Sequence, residues 1–345
     1  MTRASAVLGW DIGGVNTKAA RLTPGPHGPA LKSICLAYEI KRDPGCLGRV
    51  LAQAARNVGG GPTDLHAVTM TAELSQAFRT KREGVGFVLD SLHQTFPENH
   101  LYVYTTNGRF VGTDEARKVP LAVAAANWMA TASLVARSVP TCILIDIGTT
   151  SADLIPIVNG RVVARGRTDP DRLLSGELVY TGALRTPVEA IAPRVPLWGE
   201  SSGVSADGFA ISGDVHLWLG RLEPEDYTCP SPDGRPPTRE SAGERLARVV
   251  CGDREMLDDS VIDAIATALA GAQVRSVAEA LERILRPRPE ISSAVVAGLG
   301  DFIAIDAAAR AGLSIIPLAD QLGSAARIAP AAAVASLLWD TMEHG

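Results

Sequence analysis

The chain has 345 residues, 46% of them hydrophobic and 21% charged, and carries a net charge of −5. That is ample for a packed core and too long for one small domain, so two lobes are expected; with basic residues only in short groups such as Lys41-Arg42 and Lys81-Arg82, no nucleic-acid partner is expected. Five cysteines, Cys35, Cys46, Cys142, Cys229 and Cys251, are odd in number and widely spaced, which points to a reduced, cytoplasmic protein with neither a disulfide framework nor a zinc knuckle.

Residues 1–6 run into Val7-Leu8-Gly9-Trp10-Asp11, an apolar run too short for a signal sequence. Residues 7–12, 17–22 and 34–40 read as strands, the first two separated by a Gly-Gly turn. A helix over about 47–57 precedes a strand over 66–70. A helix over about 85–96 precedes a strand over 101–104, and Asn107-Gly108 is a turn dipeptide. The Ala-rich run 120–137, with Pro120 in its first turn, predicts a single helix. The apolar stretches 121–135 and 328–338 are broken by polar residues or Pro, so they read as buried helices and no membrane partner is expected.

A second lobe opens like the first. Residues 142–146 form an apolar run ending in Asp, followed by Ile147-Gly148-Thr149-Thr150-Ser151. A return strand over 152–158, the hairpin turn Asn159-Gly160 and a strand over 161–166 follow. Residues 196–240 shift towards Gly, Pro, Ser and Asp, and read as a loop-rich insertion near an active cleft with one helix around 214–221. Helices over about 257–285, a strand over 294–297, the turn Gly298-Leu299-Gly300, a helix over 301–311, a strand over 313–317 and a closing helix over about 328–342 complete the chain. The expected division is 1–138 and 139–345.

Three motifs carry chemistry. The first is Asp11-Ile12-Gly13-Gly14-Val15-Asn16-Thr17-Lys18. A carboxylate ending an apolar strand is costly to bury unless it meets a cation or donors. Gly13 and Gly14 let the backbone turn tightly and bring amides near an anion, Asn16 and Thr17 add small polar groups, and Lys18 adds a point charge. Alone, this motif reads equally well as an ordinary hairpin with a solvent-facing Asp. The second motif, Asp146-Ile147-Gly148-Thr149-Thr150-Ser151-Ala152-Asp153, repeats the chemistry with three hydroxyl residues and favours the phosphate reading of both. The third, Val295-Val296-Ala297-Gly298-Leu299-Gly300-Asp301, is a strand, a Gly-x-Gly turn and a helix start, weak by itself.

This order of motifs resembles the acetate and sugar kinase/heat-shock/actin superfamily over essentially the whole chain. The resemblance implies an α/β chain with a duplicated ribonuclease H-like (actin/sugar-kinase type) two-lobe fold and a central cleft. It implies Asp11 and Asp146 as Mg²⁺ carriers acting through water. It also implies Gly13, Gly14, Asn16, Thr17, Lys18, Gly148, Thr149, Thr150 and Ser151 as phosphate holders, with Gly298 and Gly300 on the nucleoside or substrate side. A homodimer is common for this fold.

A narrower resemblance rests on separated segments that agree in order. They are Trp10 to Lys18, Thr69-Met70-Thr71-Ala72-Glu73-Leu74, Lys81-Arg82-Glu83-Gly84-Val85, Gly176-Glu177-Leu178-Val179-Tyr180-Thr181-Gly182 with Arg185-Thr186-Pro187, and Ala297-Gly298-Leu299-Gly300. Together they look like the hydantoinase/oxoprolinase-like proteins of tetrahydromethanopterin-linked one-carbon transfer, whose archaeal relatives include a synthase of methanofuran biosynthesis. The implied reaction joins 5-(aminomethyl)furan-3-ylmethyl diphosphate to the phenol of γ-glutamyltyramine and releases pyrophosphate, for a methanofuran- or methylofuran-type cofactor. Mg²⁺ would then neutralise a leaving diphosphate.

A phenol with a pKa of about 10 benefits from a base at neutral pH. Glu73 and Glu177 are the candidate bases, with Asp207, Asp214 and His216 as further options. Asp214 reads first as the cap of the next helix, with His216 in its first turn. Arg185 offers a fork for the glutamyl carboxylate, or a surface ion pair. Trp128, Trp198 and Trp218 read as core. Two other readings fit the motifs: an ATP-dependent small-molecule kinase, under which ATP or ADP enters as cofactor, and a non-catalytic nucleotide-binding module.

Overall fold

A computed structural model describes residues 6–26, 28–97 and 99–344; residues 1–5, which open the N-terminal reading, lie outside the described residues. β1 (Val7–Ile12) is buried along its whole length. The cause is its place inside a six-stranded sheet of order β3-β2-β1-β4-β5-β6, where β2 is Asn16–Thr23, β3 Ala30–Ala37, β4 Leu65–Met70, β5 Leu101–Tyr104 and β6 Phe110–Gly112. β1 pairs antiparallel with β2 and parallel with β4, and β4 pairs parallel with β5.

Leu8, Trp10 and Ile12 pack with Leu47 and Leu51 of the helix Leu47–Val58 and with Val85, Val88 and Leu89 of the helix Lys81–Thr95. Each such side chain, fully buried, contributes about 1.5–3 kcal/mol. Towards the opposite face the closing helix, Ala329–His344, lies against β1 and β2. A Cβ on Gly9 would stand 2.1 Å from the Ala331 carbonyl oxygen, so no larger residue fits there.

The second half builds β7 (Cys142–Ile147), β8 (Ala152–Val158), β9 (Arg161–Val162) and β10 (Leu178–Val179). A separate ribbon, β11 (Arg194–Leu197) and β12 (Glu200–Gly203), precedes β13 (Ser293–Ala297) and β14 (Ser314–Pro317). The second sheet runs β10-β8-β7-β13-β14, with β9 pairing β8. In each sheet a first strand is hairpinned to the second and then meets, in parallel, a strand reached much later: β1/β2 then β4, and β7/β8 then β13. One topology is used twice.

The chain divides into two compact units. The first is Met1–Cys142 with Ile155–Leu174 and Pro317–Gly345; the second is Ile143–Leu154 with Ser175–Ile316. The expected division at 138/139 coincides with the end of the helix Asn127–Ser138, but two later segments return to the first unit. In one of them, Ala325, Ile328, Ala331 and Ala332 pack with Ala20 of β2, covering a face that the first unit could not close with its own local sequence.

Several local expectations change. The single helix over 120–137 is two helices, Pro120–Val123 and Asn127–Ser138. The Ala122 carbonyl accepts from Thr106 N–H at 2.7 Å, Ala124 bridges Met70, and Ala125 has φ +48°. Contacts with the turn after β5 and with the end of β4 take over that backbone, and the strong helix propensity of alanine hides the break in sequence. The third strand is Ala30–Ala37, not 34–40, because its side chains alternate weakly at a sheet edge. The return strand after Asn159-Gly160 is only Arg161–Val162. Trp128 and Trp218 are buried, but Trp198 is 67% exposed at the turn of the β11–β12 ribbon, with φ +52°.

Candidate functional site

The first hairpin closes with Gly13 N–H donating to Asn16 O at 2.9 Å. Asp11 lies in register with Lys18 on β2 and with Thr69 on β4. Lys18 Nζ ion-pairs with Asp11 Oδ2 at 2.9 Å. The other oxygen, Asp11 Oδ1, is buried without a hydrogen bond, as are Asn16 Oδ1, Thr17 Oγ1 and Thr69 Oγ1. Each unpartnered buried polar group costs about 1–3 kcal/mol. Such groups gathered about one strand end leave acceptors and hydroxyls for a polar ligand, at the carboxyl ends of parallel strands where α/β sheets bind ligands. Thr69 adds to the predicted set; its segment was legible, its role was not.

Mg²⁺ keeps several waters and takes only one or two protein carboxylates beside substrate phosphates. The open oxygen of Asp11 fits that pattern. No group of three or more His, Cys, Asp or Glu able to hold a metal occurs among the described residues.

Just past β4 comes Glu73. Thr71 N–H donates to Ile12 O at 2.9 Å, tying this turn to the end of β1. Glu73 is 2% exposed and neither carboxyl oxygen has a hydrogen-bond partner. A Cβ on Gly84 would stand 2.5 Å from Glu73 Cα, so the helix start at Lys81–Thr95 is moulded to the turn. Burial pushes the Glu73 carboxyl up to about 7, against the ammonium of Lys81, which holds it down. Lys81 Nζ stands 3.9 Å from Glu73 Oε1 but bonds Asp169 Oδ2 at 2.7 Å. The amides of Glu73 and Ala125 also favour the ionised form, without reaching hydrogen-bond geometry. Lys81 lies in a quoted segment, but Asp169, Ala125 and the fully buried Arg172 carry no motif, and only the fold reveals them.

In the second unit Gly148 N–H donates to Ser151 O at 3.0 Å, the same bond at the same spacing as in the first hairpin. The seventh residue after the hairpin carboxylate is Lys18 in one and Asp153 in the other. Two predicted segments converge on this second hairpin. Ala183 N–H donates to Gly148 O at 2.9 Å, and Leu184 and Arg185 N–H both donate to Thr149 O, at 3.1 and 2.9 Å. A Cβ on Gly182 would stand 2.5 Å from Thr150 N. Gly300 N–H donates to Ile147 O at 2.8 Å, and a Cβ on Gly298, at φ +92°, would stand 2.3 Å from the same oxygen and 2.6 Å from Asp146 Oδ1. Thr149 and Thr150 keep half-buried hydroxyls 3.3 Å apart.

A polar core holds the 181–186 strap. Gln273 Nε2, from the helix Asp259–Leu285, donates to Thr181 Oγ1 and Gly182 O, both at 2.8 Å. That orientation leaves Gln273 Oε1 as acceptor, so His216 donates from Nε2 at 2.8 Å. Burial pushes His216 down to about 4, which keeps the ring neutral. His216 is therefore a core support of the strap. Asp214 caps as expected, but from the third position of the helix Ser212–Trp218: Oδ2 accepts from Ile211 N–H at 3.0 Å while Oδ1 pairs with Arg245. Glu177 is buried and accepts from Ser175 Oγ at 2.8 Å. Asp207 is exposed. Arg185 is half-buried and reaches the hairpin through its backbone.

The topology repeated in both sheets, with one Asp-x-Gly hairpin in each unit, defines the duplicated ribonuclease H-like fold of the actin and sugar-kinase type. A nucleotide-free acetone carboxylase structure is similar at TM-score 0.59 and 12% identity, covering 95% of this chain and 70% of that one. A ROK family glucokinase from Streptomyces griseus, in complex with glucose and AMPPNP, is similar at TM-score 0.50 and 14% identity, covering 96% and 99%. Those likenesses establish the fold alone.

Sequence relatives go further. The Hydantoinase/oxoprolinase family matches residues 64–341. A (4-{4-[2-(gamma-L-glutamylamino)ethyl]phenoxymethyl}furan-2-yl)methanamine synthase from Methanocaldococcus jannaschii is 38% identical over 335 residues, 96% of this chain and 97% of that protein. A protein of the same name from Methanococcus vannielii is 33% identical over 166 residues, 48% of this chain and 74% of that protein. The chain belongs to the hydantoinase/oxoprolinase family.

Proposed function

We propose that this chain is a transferase that makes the aryl ether in the synthase product named above, as a step towards a methanofuran- or methylofuran-type cofactor. The donor is a furanylmethyl diphosphate and the acceptor is the phenol of γ-glutamyltyramine. The bond between the furanylmethyl carbon and the diphosphate oxygen breaks, and its electron pair leaves with pyrophosphate. The phenolic oxygen forms the new bond to that carbon, and its proton passes to the Glu73 carboxylate. The furan ring shares the positive charge that develops at the methylene carbon, so a loose transition state suits this donor.

One observation carries the reading: buried polar atoms without partners gather where β1 and β4 end. They comprise Asp11 Oδ1, Asn16 Oδ1 and Thr69 Oγ1 with both oxygens of Glu73. The open acceptors Asp11 Oδ1 and Asn16 Oδ1 suit a hydrated cation that accompanies a diphosphate, the Thr69 hydroxyl can donate to a phosphate oxygen, and Glu73 suits a proton taken at neutral pH. Asp11 in the first unit would hold Mg²⁺ through water, and the ion, when bound, would supply positive charge to the departing diphosphate; Asp146 is the equivalent carboxylate of the second unit. Gly13, Gly14, Gly148, Thr149, Thr150 and Ser151 would contribute amides and hydroxyls to phosphate oxygens.

The test is incubation of the chain with donor, acceptor and Mg²⁺, with no ATP, followed by mass spectrometry of the product. The ether is expected, and Asp146→Asn should lower its rate by more than roughly tenfold with the fold intact. An ADP-yielding reaction on either substrate, with no ether formed, would replace this reading with a kinase.

A further inference from the structure

Glu73 heads a row of alternating charges within the first unit. Lys81, from the helix Lys81–Thr95, stands between Glu73 and Asp169, at 3.9 Å and 2.7 Å. Asp169, from the helix Asp169–Ser175, also faces Arg172 Nη1 at 3.9 Å. Arg172 is fully buried and lies 4.4 Å from the ring centroid of Trp128. Ala125 lies in the helix break over 124–126 and Trp128 in the first turn of the helix after it, so one irregular turn meets both ends of the row. The groups acting on Glu73 are thus Lys81, Asp169 and the amides of Glu73 and Ala125.

We infer that Lys81 and Asp169 are positioning residues that set when Glu73 is ionised, Lys81 favouring the carboxylate and Asp169 drawing Lys81 away from it. This rests on the proposed role of Glu73 as base. The geometry makes the two neighbours act in opposite directions. Without Lys81, Glu73 loses its nearby cation and faces an Asp169 paired only with the more distant Arg172, so it holds its proton to higher pH. Without the Asp169 charge, the Lys81 ammonium has one carboxyl left to serve, and Glu73 ionises at lower pH. Arg172 keeps Asp169 anchored, and its seat on Trp128 fixes the far end of the row.

The experiment is a titration of the Glu73 carboxyl carbon by NMR in the full chain labelled with ¹³C at glutamate, the resonance assigned by its loss in Glu73→Gln. Lys81→Met should raise the midpoint and Asp169→Asn should lower it, each by roughly one to two pH units, while Lys81→Arg, which keeps the charge, should stay near the native value. The acid limb of kcat should move with the midpoint. Shifts of both variants in one direction, or no shift in folded variants, would overturn the inference. Should Lys81→Met not fold, Lys81→Arg and Asp169→Asn decide: a lowered midpoint in Asp169→Asn alone supports it, and an unmoved one refutes it. The base reading fails separately, if Glu73→Gln keeps activity while the midpoints still shift as described.

Discussion

Glu73→Gln keeps the shape of a buried side chain and removes its ability to take a proton. On the proposed chemistry kcat should fall by about 10²- to 10⁴-fold, with KM for both substrates little changed. The native rate should also drop as pH falls through the Glu73 value of about 7, since the base must be ionised to accept the phenolic proton. A pH–rate profile of native and variant chains checks both, and a native profile flat from pH 6 to 8 would count against Glu73. At this scale the sequence was half legible. Asp11, Asp146 and Glu73 stand in motifs that can be quoted residue by residue. Asp169 reaches Lys81 across 88 positions, and no local pattern announces such a pair. His216 was a candidate acid/base group, and its burial against Gln273 makes it a support instead.

Glycines set how closely the family segments fit the second hairpin. Gly298→Ala meets Ile147 O at 2.3 Å and forces a side chain into φ +92°, and Gly182→Ala meets Thr150 N at 2.5 Å. Each should lower the midpoint of thermal unfolding, as overpacking costs about 1–3 kcal/mol, and should reduce turnover by displacing the hairpin. Gly14→Ala meets nothing within 4 Å and should stay near native stability, which makes it the control. Scanning calorimetry with an activity assay separates the three, and equal stability in all of them would contradict the packing described. Elements with clear apolar runs ending at Asp or Gly, such as β1, β7 and β13, were legible almost to the residue. The break at 124–126 was not, because alanine favours helix and only contacts with Thr106 and Met70 undo it.

Each unit also buries a histidine. Burial pushes His66 in the first unit and His216 in the second down to about 4, below the ordinary value of about 6.5. Because the folded values are depressed, the stability these neutral rings confer is full above about pH 6.5 and is lost as pH falls towards 4. Unfolding temperature should therefore decline over that window. His216→Gln, which can still donate to Gln273, should make the decline shallower, and an unchanged acid slope would argue against a neutral His216. The duplication itself was legible from the two Asp-x-Gly hairpins. The return of 155–174 and 317–345 to the first unit was not, since it depends on which sheet face stays uncovered, as at Gly9 and Ala20.

In the proposed reaction the Asp-x-Gly hairpin chemistry serves a leaving diphosphate. Pyrophosphate release from the furanylmethyl diphosphate, followed with Mg²⁺ and without ATP, tests it most directly. Release is expected to depend on γ-glutamyltyramine, to match ether formed one for one, and to be unchanged by added ATP. Release that requires ATP, or ADP formation with no pyrophosphate from the donor, would contradict it.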